Sequence, residues 1–579
     1  MNSFQLETKV GSLLYAAIIV LAIFFRFIHL GSLPLTDEES LSALRAAQGT
    51  STASDFYADS DIVMTQPSYE VLTRLGFEIF EANDFLARFF PALAGSALVL
   101  TPLLARRKLG WGHITLMGFL LAICPVFVTI SRTASGASLS SFGAMTFIMA
   151  ILGLEEANKS RYQIMAGIGL GLCLASGPFI LTGILALGIG LVIWRLLNIQ
   201  NHKAFQLDLL PWSSLRQILW IAAVVIFAVA TGMGLFLDGI AGVFEATAYW
   251  LRGWGFRSPY ASTALLIMIP IYMPLLFFMG ILGSWTAFRK QDKDKLLAFL
   301  FVIVGIIYVL IYPGRQPYDL IWIALPLAFL GSGYLATRSR YFFEGRINLW
   351  VIAVTSLIIL FAFMLYLQLS STASQAQIID PMVSLLTLLV FLVVVVLVII
   401  FFGLGWDWFS ARFSVLLALL ALTIILSISS LWRLNFNSQV SKANELWRNR
   451  VPSVGMGLMI ETIKTTSQAV KGEDHALQVE ILGKAPYALI WALRDFDAFI
   501  GLPDGENTGS PLVLVSKPEN DLALQDDYIG QTMVIAEEWG WDTALPPSLL
   551  KWGIKRQAPT LFDEWLILVR QDLASLDEE

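Results

Sequence analysis

Three consecutive carboxylates, Asp37-Glu38-Glu39, follow closely on an apolar run that begins near Gly11. Acids placed where a chain leaves a membrane have two uses. A carboxylate at a lipid–water boundary acts as a general base when partial burial or a like charge tunes its pKa. The same acids serve a helix start, with Thr36 as N-cap and negative charge in the first turn set against the helix dipole. The two uses are compatible, since a cap would also fix the position of Asp37. Arginine supplies the second set of reactive groups: Arg88 in FLARFFPALAG, Arg132 in ISRTASG, Arg252 and Arg257 in WLRGWGFRSPY, and Arg315 in YPGRQPYDL. The guanidinium fork matches phosphate oxygens, so several arginines converging at headgroup level would hold an anionic lipid head. Taken singly, each also fits snorkelling or a salt bridge to nearby acids. In MTQPSYEVLTRL (64–75), Gln66 can hydrogen-bond a substrate or Asp37, or be a plain polar residue near a cap. Pro67 suits the first turn of a surface helix.

What must position these groups is a membrane scaffold. The chain has 579 residues, 56% hydrophobic and 14% charged, against roughly 25% charged in ordinary soluble domains. Its mean hydropathy is +0.70. Runs of about 18–25 apolar residues recur, each long enough to cross a bilayer as a helix. The expected fold class is a polytopic α-helical membrane protein of about thirteen transmembrane helices, followed by a small extracytoplasmic α/β domain. The spans are placed near 12–30, 85–105, 113–131, 138–155, 161–176, 178–197, 216–237, 262–287, 295–312, 317–336, 348–369, 382–403 and 411–431. Between the fifth and sixth, Gly177-Pro178 reads as a kink or a tight turn.

Alternate short loops are basic: Arg106-Arg107-Lys108, Lys159 with Arg161, Arg195 with Lys203 and Arg216, Arg289-Lys290 with Lys293 and Lys295, and Arg338 with Arg340 and Arg346. The positive-inside rule places these in the cytoplasm, with the N-terminus. Residues 31–84, 131–138, 238–261, 312–317, 370–381 and everything after 432 then lie outside. Two outer regions are long enough to be functional. Residues 31–84 carry ten acids, Asp55, Asp59 and Asp61 among them, against two arginines. Within this stretch, 38–48 and 67–81 have helical apolar spacing and are expected to lie along the membrane face. The tail, 432–579, has shorter apolar runs: strands are expected at 476–482, 511–517, 532–539 and 565–570, and helices at 456–470 and 487–496. About 140 residues can bury a core of their own. The tail tryptophans 539, 541, 552 and 565 fit core packing better than sugar or membrane contact.

Some chemistries are disfavoured. Two cysteines, Cys124 and Cys173, both within spans, give no disulfide framework and no CxxC site. Four scattered histidines (29, 113, 202 and 475) argue against a His-based zinc site. No GxxxxGK[ST] motif is present, so an ATP-driven step has no support. The first span lacks the basic start and small-residue cleavage site of a signal peptide.

Arg26…Leu30-Gly31…Asp37-Glu38, then Gln66-Pro67…Tyr69, then ARFFPALAGS (87–96), SRTAS (131–135) and YPGRQPYDLIWIALPLAFL (312–330) occur in an order that resembles the membrane-embedded GT-C glycosyltransferases. The similarity is to the branch of protein O-mannosyltransferases and aminoarabinose transferases, and it covers roughly residues 10–335. The tail, with PYALIWALRDF (486–496) and DDYIG (526–530), is similar to a bacterial and archaeal flippase-associated subgroup. The resemblance implies an inverting transfer of sugar from a polyprenyl-phosphate donor outside the cytoplasmic membrane. It gives Asp37 the role of base on the acceptor hydroxyl, with Glu38 as the acid that follows it. Arg88, Arg132, Arg315 and Arg257 become candidates for the donor phosphate, and Gln66 and Tyr69 for positioning substrate. Relatives often carry His-Pro-Pro or a similar run where this chain has Gln66-Pro67-Ser68, and many carry a further acid after the third span where it has SRTASGASL. No cofactor is therefore required, and a divalent metal has no support from the residues. Expected partners are the polyprenyl-phosphate sugar, membrane lipids, an acceptor protein, lipid or glycan, and other members of a membrane complex; no nucleic acid is expected. Two other classes compete: a lipid flippase or transporter, which should show mid-span charges or inverted repeats, and a non-catalytic membrane subunit docking through its tail.

Overall fold

Long apolar windows with few charges satisfy their backbone polar groups internally as helices. The computed structural model describes residues 3–48, 64–154, 159–199, 211–290, 292–343, 348–375, 381–436, 445–501, 509–516, 527–541, 543, 545–546, 552, 556 and 558–574. Asp55, Asp59, Asp61, His202, Lys203, Arg346 and Asp526, singled out above, lie outside these. Six helices are long and apolar enough to cross a bilayer: Asp84–Leu109, Phe179–Leu197, Trp212–Ala230, Lys293–Ile311, Pro317–Ser339 and Trp408–Asn435. Two pairs are bent, Trp111–Ile123 with Pro125–Ser131 by 60° and Ser262–Tyr272 with Pro274–Lys290 by 92°. In each pair a proline opens the second helix, because it has no N–H to continue the ladder of the first.

Counting each bent pair as one span gives up to eight among the described residues, against the thirteen expected. Four further apolar helices, Ser3–Phe27, Ala137–Gly153, Leu349–Gln375 and Pro381–Gly405, fall at four more of the expected spans. The doubtful stretch 161–197 resolves into two helices, Lys159–Ala175 and Phe179–Ile199. They part at Gly177, whose φ of +106° no β-carbon-bearing residue adopts easily.

Both expected surface helices are present, as Asp37–Gln48 and Pro67–Ile79, with Pro67 in the first turn of the second. They pack on each other, and the second also packs on Asp84–Leu98. The tail forms a six-stranded sheet in the order β1-β5-β6-β4-β2-β3. Its strands are β1 (Arg450–Pro452), β2 (Gln478–Leu482), β3 (Asp497–Ile500), β4 (Leu512–Ser516), β5 (Tyr528–Trp539) and β6 (Thr560–Arg570). Strand β2 pairs parallel with β3 and β4; the remaining pairs are antiparallel. The helix Val454–Lys471 starts on the Ser453 hydroxyl and stops at left-handed Gly472. The second expected helix ends early, at Ala492, and the chain turns into β3. That helix, Tyr487–Ala492, packs on Asp37–Gln48. Its Trp491 is buried in one cluster with Leu35, Ala43, Leu44 and Tyr69, so the tail is docked on the surface helices. Trp552 and Trp565 are buried, as packing residues should be.

Candidate active site

The site begins at a helix N-terminus. Thr36 donates its N–H to the Glu39 carboxylate at 3.0 Å, and the Glu39 N–H points back to the Thr36 hydroxyl at 3.5 Å. This reciprocal cap satisfies two donors that a helix start leaves open. A helix turns about 100° per residue, so the three acids that follow point three ways.

Glu39 points into the bundle. It is fully buried and accepts two hydrogen bonds from Arg88, Nε at 2.8 Å and Nη2 at 2.9 Å, plus the Ala134 N–H at 3.1 Å. Burial alone would raise its pKa, but the Arg88 and Arg448 charges and the hydrogen bonds from Arg88 and Thr36 hold it well below the carboxylate range. Arg88 gives its remaining N–H groups to the carbonyls of Leu33 at 2.6 Å, Pro34 at 3.2 Å and Leu30 at 3.4 Å.

Asp37 points to the tail. One carboxylate oxygen accepts the Ala488 N–H at 2.9 Å, and the other lies 3.3 Å from Arg450 Nε. Arg450 also contacts Glu538 at 3.2 Å and pairs with Asp563. Glu38 points into a cavity of about 190 Å³. Asp37 and Thr36 share that wall. Tyr260, Pro317 and Tyr318 close the cavity from the bundle, and Trp447, Arg448 and Asn449 close it from the start of the tail. Glu38 is itself exposed to this partly open space, with protein crowding it from the bundle and the tail. That surrounding protein and the charges of Glu39 and Asp37 push its pKa up to about 6, against the pull of Arg448. The Arg448 guanidinium makes no ion pair within 4 Å among the described residues, and it stands where two hollows meet. On its other side a groove of about 930 Å³ runs between residues 31–35, the start of Asp84–Leu98 and the tail helices.

The other residues named from the sequence are elsewhere. Arg132 donates to the carbonyls of Phe25, Arg26, Ile28 and His29 at 2.8–3.2 Å, so it caps the end of the first helix, whose last carbonyls have no partner of their own. Gln66 is buried: its amide N–H bonds Ser42 at 3.2 Å and its amide oxygen accepts the Gly136 N–H. It therefore meets Ser42, and not Asp37 as the sequence allowed. Tyr69 is fully buried and donates to the Ala87 carbonyl at 3.0 Å. Arg257 is exposed. Arg315 is half-buried beside the cavity, donating to the carbonyl of the lining residue Tyr260 at 3.3 Å, and its buried Nε has no partner among the described residues. Arg448 and Arg450 were missed. Their signal was the LWRNR stretch just beyond the last apolar run, where two arginines sit against the charge bias of an outer segment. Among the described residues, no three His, Cys, Asp or Glu side chains group as metal ligands.

No protein-family model and no curated protein matches the chain. Solved structures do. ArnT from Cupriavidus metallidurans, solved bound to undecaprenyl phosphate, aligns with a TM-score of 0.54 over 87% of this chain and 93% of its own, at 14% identity. Its apo structure aligns with a TM-score of 0.56 over 88% and 94%, also at 14%. The oligosaccharyltransferase AglB from Archaeoglobus fulgidus, solved with an inhibitory peptide and a dolichol-phosphate, gives 0.43 at 11% identity over 88% of this chain and 70% of its own. The likeness to ArnT is one of fold.

Proposed function

We propose that this chain is an inverting glycosyltransferase, moving a sugar from a polyprenyl-phosphate donor to an acceptor hydroxyl at the outer face of the cytoplasmic membrane. One observation carries the reading: two carboxylates, Asp37 and Glu38, and an ion-pair-free arginine, Arg448, line one cavity. Asp37 takes the proton of the acceptor hydroxyl. The freed oxygen attacks the anomeric carbon, the bond from that carbon to the phosphate oxygen breaks, and the phosphate leaves with the electron pair. A single displacement of this kind inverts the centre. Arg448 stabilises the charge that grows on the phosphate, a role in which a preorganised donor matters most in the transition state. Arg315, next to Tyr260, supports it from behind. The Ala488 N–H and Arg450 fix the orientation of Asp37, as a third group orients a catalytic base. Arg88 and Arg132, spent on Glu39 and on carbonyls, hold the scaffold in place. The groove beyond Arg448 gives the acceptor its approach. The basic loops favour an outer position for the tail by the positive-inside rule, the side on which a lipid-linked donor would present its sugar.

Purified protein given polyprenyl-phosphate sugars should transfer the sugar, and Asp37→Asn should slow transfer about 10²–10⁴-fold, the usual worth of a general base. Transfer that survives Asp37→Asn would remove Asp37 from that role. A second reading, a non-catalytic membrane subunit, is favoured by the engagement of both Asp37 oxygens. Folded protein that transfers from no lipid donor would decide for it.

A further inference from the structure

A second polar hollow lies far from the carboxylates. The helix Lys293–Ile311 has 19 residues, about 28 Å at 1.5 Å per residue. Its C-terminal end leads through Tyr312 to Pro317 and Tyr318 of the candidate active site. Its N-terminal end opens on a cavity of about 180 Å³ between the ends of Pro274–Lys290, Lys293–Ile311 and Ile321–Phe343. The two hollows are thus separated by about the thickness of a bilayer core.

This far cavity is built differently. Lys290, Lys295 and Arg338 line it against one acid, Asp292, which leaves an excess of two positive charges. Asp292 is paired with Lys295 at 2.6 Å. Thr286, Thr337 and Tyr334 add hydroxyls, and the Arg338 guanidinium lies over the Tyr334 ring at 5.6 Å. One helix of the cavity faces outward along Phe278, Ile281, Trp285 and Phe288, all exposed and at helical spacing. The cavity therefore sits at the perimeter of the bundle, within reach of lipid. Trp285 carries Arg289 4.9 Å above its ring, next to the cavity. An exposed tryptophan with an arginine over its ring fits headgroup depth.

We propose that this cavity binds the phosphate of an anionic phospholipid in the leaflet opposite the active site. Cations supply the charge, hydroxyls bond the phosphate oxygens, and the acyl chains stay in the bilayer. Basic pockets between membrane helices recognise anionic headgroups in this way. The proposal is independent of the transfer chemistry.

The test uses the full chain in nanodiscs of phosphatidylcholine with and without phosphatidylglycerol, reading lipid retention by native mass spectrometry. The intact protein should retain phosphatidylglycerol preferentially. The double variant Lys290→Gln, Arg338→Gln should lose about thirtyfold in affinity, the factor for two cations at about 1 kcal/mol each. Lys290→Gln alone, an exposed and mild change, should lose part of it and stays informative if the double variant folds poorly. Arg257→Gln, near the other face, should retain the full preference. Equal retention of both lipids by the intact protein, or an unchanged preference in the lysine variant, would overturn the proposal. So would displacement of the lipid by millimolar inorganic phosphate at constant ionic strength, which would make this a site for a free anion.

Discussion

Glu39 and Glu38 are neighbours in sequence, and each faces an arginine, yet one is sealed and the other is open. Glu39 and Arg88 saturate each other and the surrounding backbone, and neither reaches the candidate cavity. Glu38 and Arg448 face each other across a hollow, with no bond between them that would have to break before a ligand bound. The difference teaches that residue type does not separate a structural ion pair from a binding one. What separates them is whether the charges are already satisfied.

Substitutions can break this contrast. The largest expected effect is at the sealed pair. Arg88→Met leaves Glu39 charged and buried without its partner, which should cost about 3–5 kcal/mol of stability, measured as a lower unfolding midpoint in detergent. A midpoint within a degree or two of the parent would show that Glu39 is not held as described. Next is Arg448→Gln, which should slow sugar transfer about 10²–10³-fold, the worth of one transition-state donor, while leaving the unfolding midpoint in place. Lost stability with retained turnover would invert the comparison.

The pH dependence sharpens it, because the two acids are shifted in opposite senses. The pKa of Glu39 is lowered by folding, so its contribution is present above the unfolded value of 4.5 and lost as pH falls below it. The pKa of Glu38 is raised to about 6, so ionising it costs the folded state, and stability is lost as pH rises from 4.5 through 6. Because the Glu38 side chain is exposed and screened by water, Glu38→Gln should raise the midpoint at pH 7.5 only modestly, and by less at pH 4.5. If transfer requires the ionised form, its rate should climb through pH 6 in the parent, and that limb should vanish in the variant. The smallest effect is at Arg257. Arg257→Gln, on the surface and away from both clusters, should change stability by no more than about 0.5 kcal/mol and transfer by less than twofold. A larger loss in either assay would return Arg257 to the donor site.

The cap on Thr36 was legible because capping is local chemistry, read within four residues. Which of the three acids would face a cavity was not legible. That depends on how the helix is rotated against partners more than four hundred residues away, such as Ala488. Arg132 read as a phosphate ligand for the same reason: nothing nearby in sequence announces that the carbonyls of residues 25–29 lie beside it. In the tail, the apolar strands β2 and β4 stood out. Strands β1 and β3 escaped notice, being three and four residues long and carrying Arg450, Pro452 and Asp497. The long hairpin β5–β6 was read only over its apolar C-terminal halves. Its polar beginnings are held by cross-strand pairing, which leaves little mark on composition.

The hydrogen bond to Asp37 from position 488 comes from the main chain. A main-chain donor belongs to the place and not to the alanine, so every residue type but proline would supply it. What constrains the position is its burial in the core of the tail, which favours a small side chain, and not the bond that aims the carboxylate. The arrangement is lost only if the tail itself shifts on its seat, which makes the docking of the outer domain, more than any side chain it carries, the natural handle for switching the chemistry off.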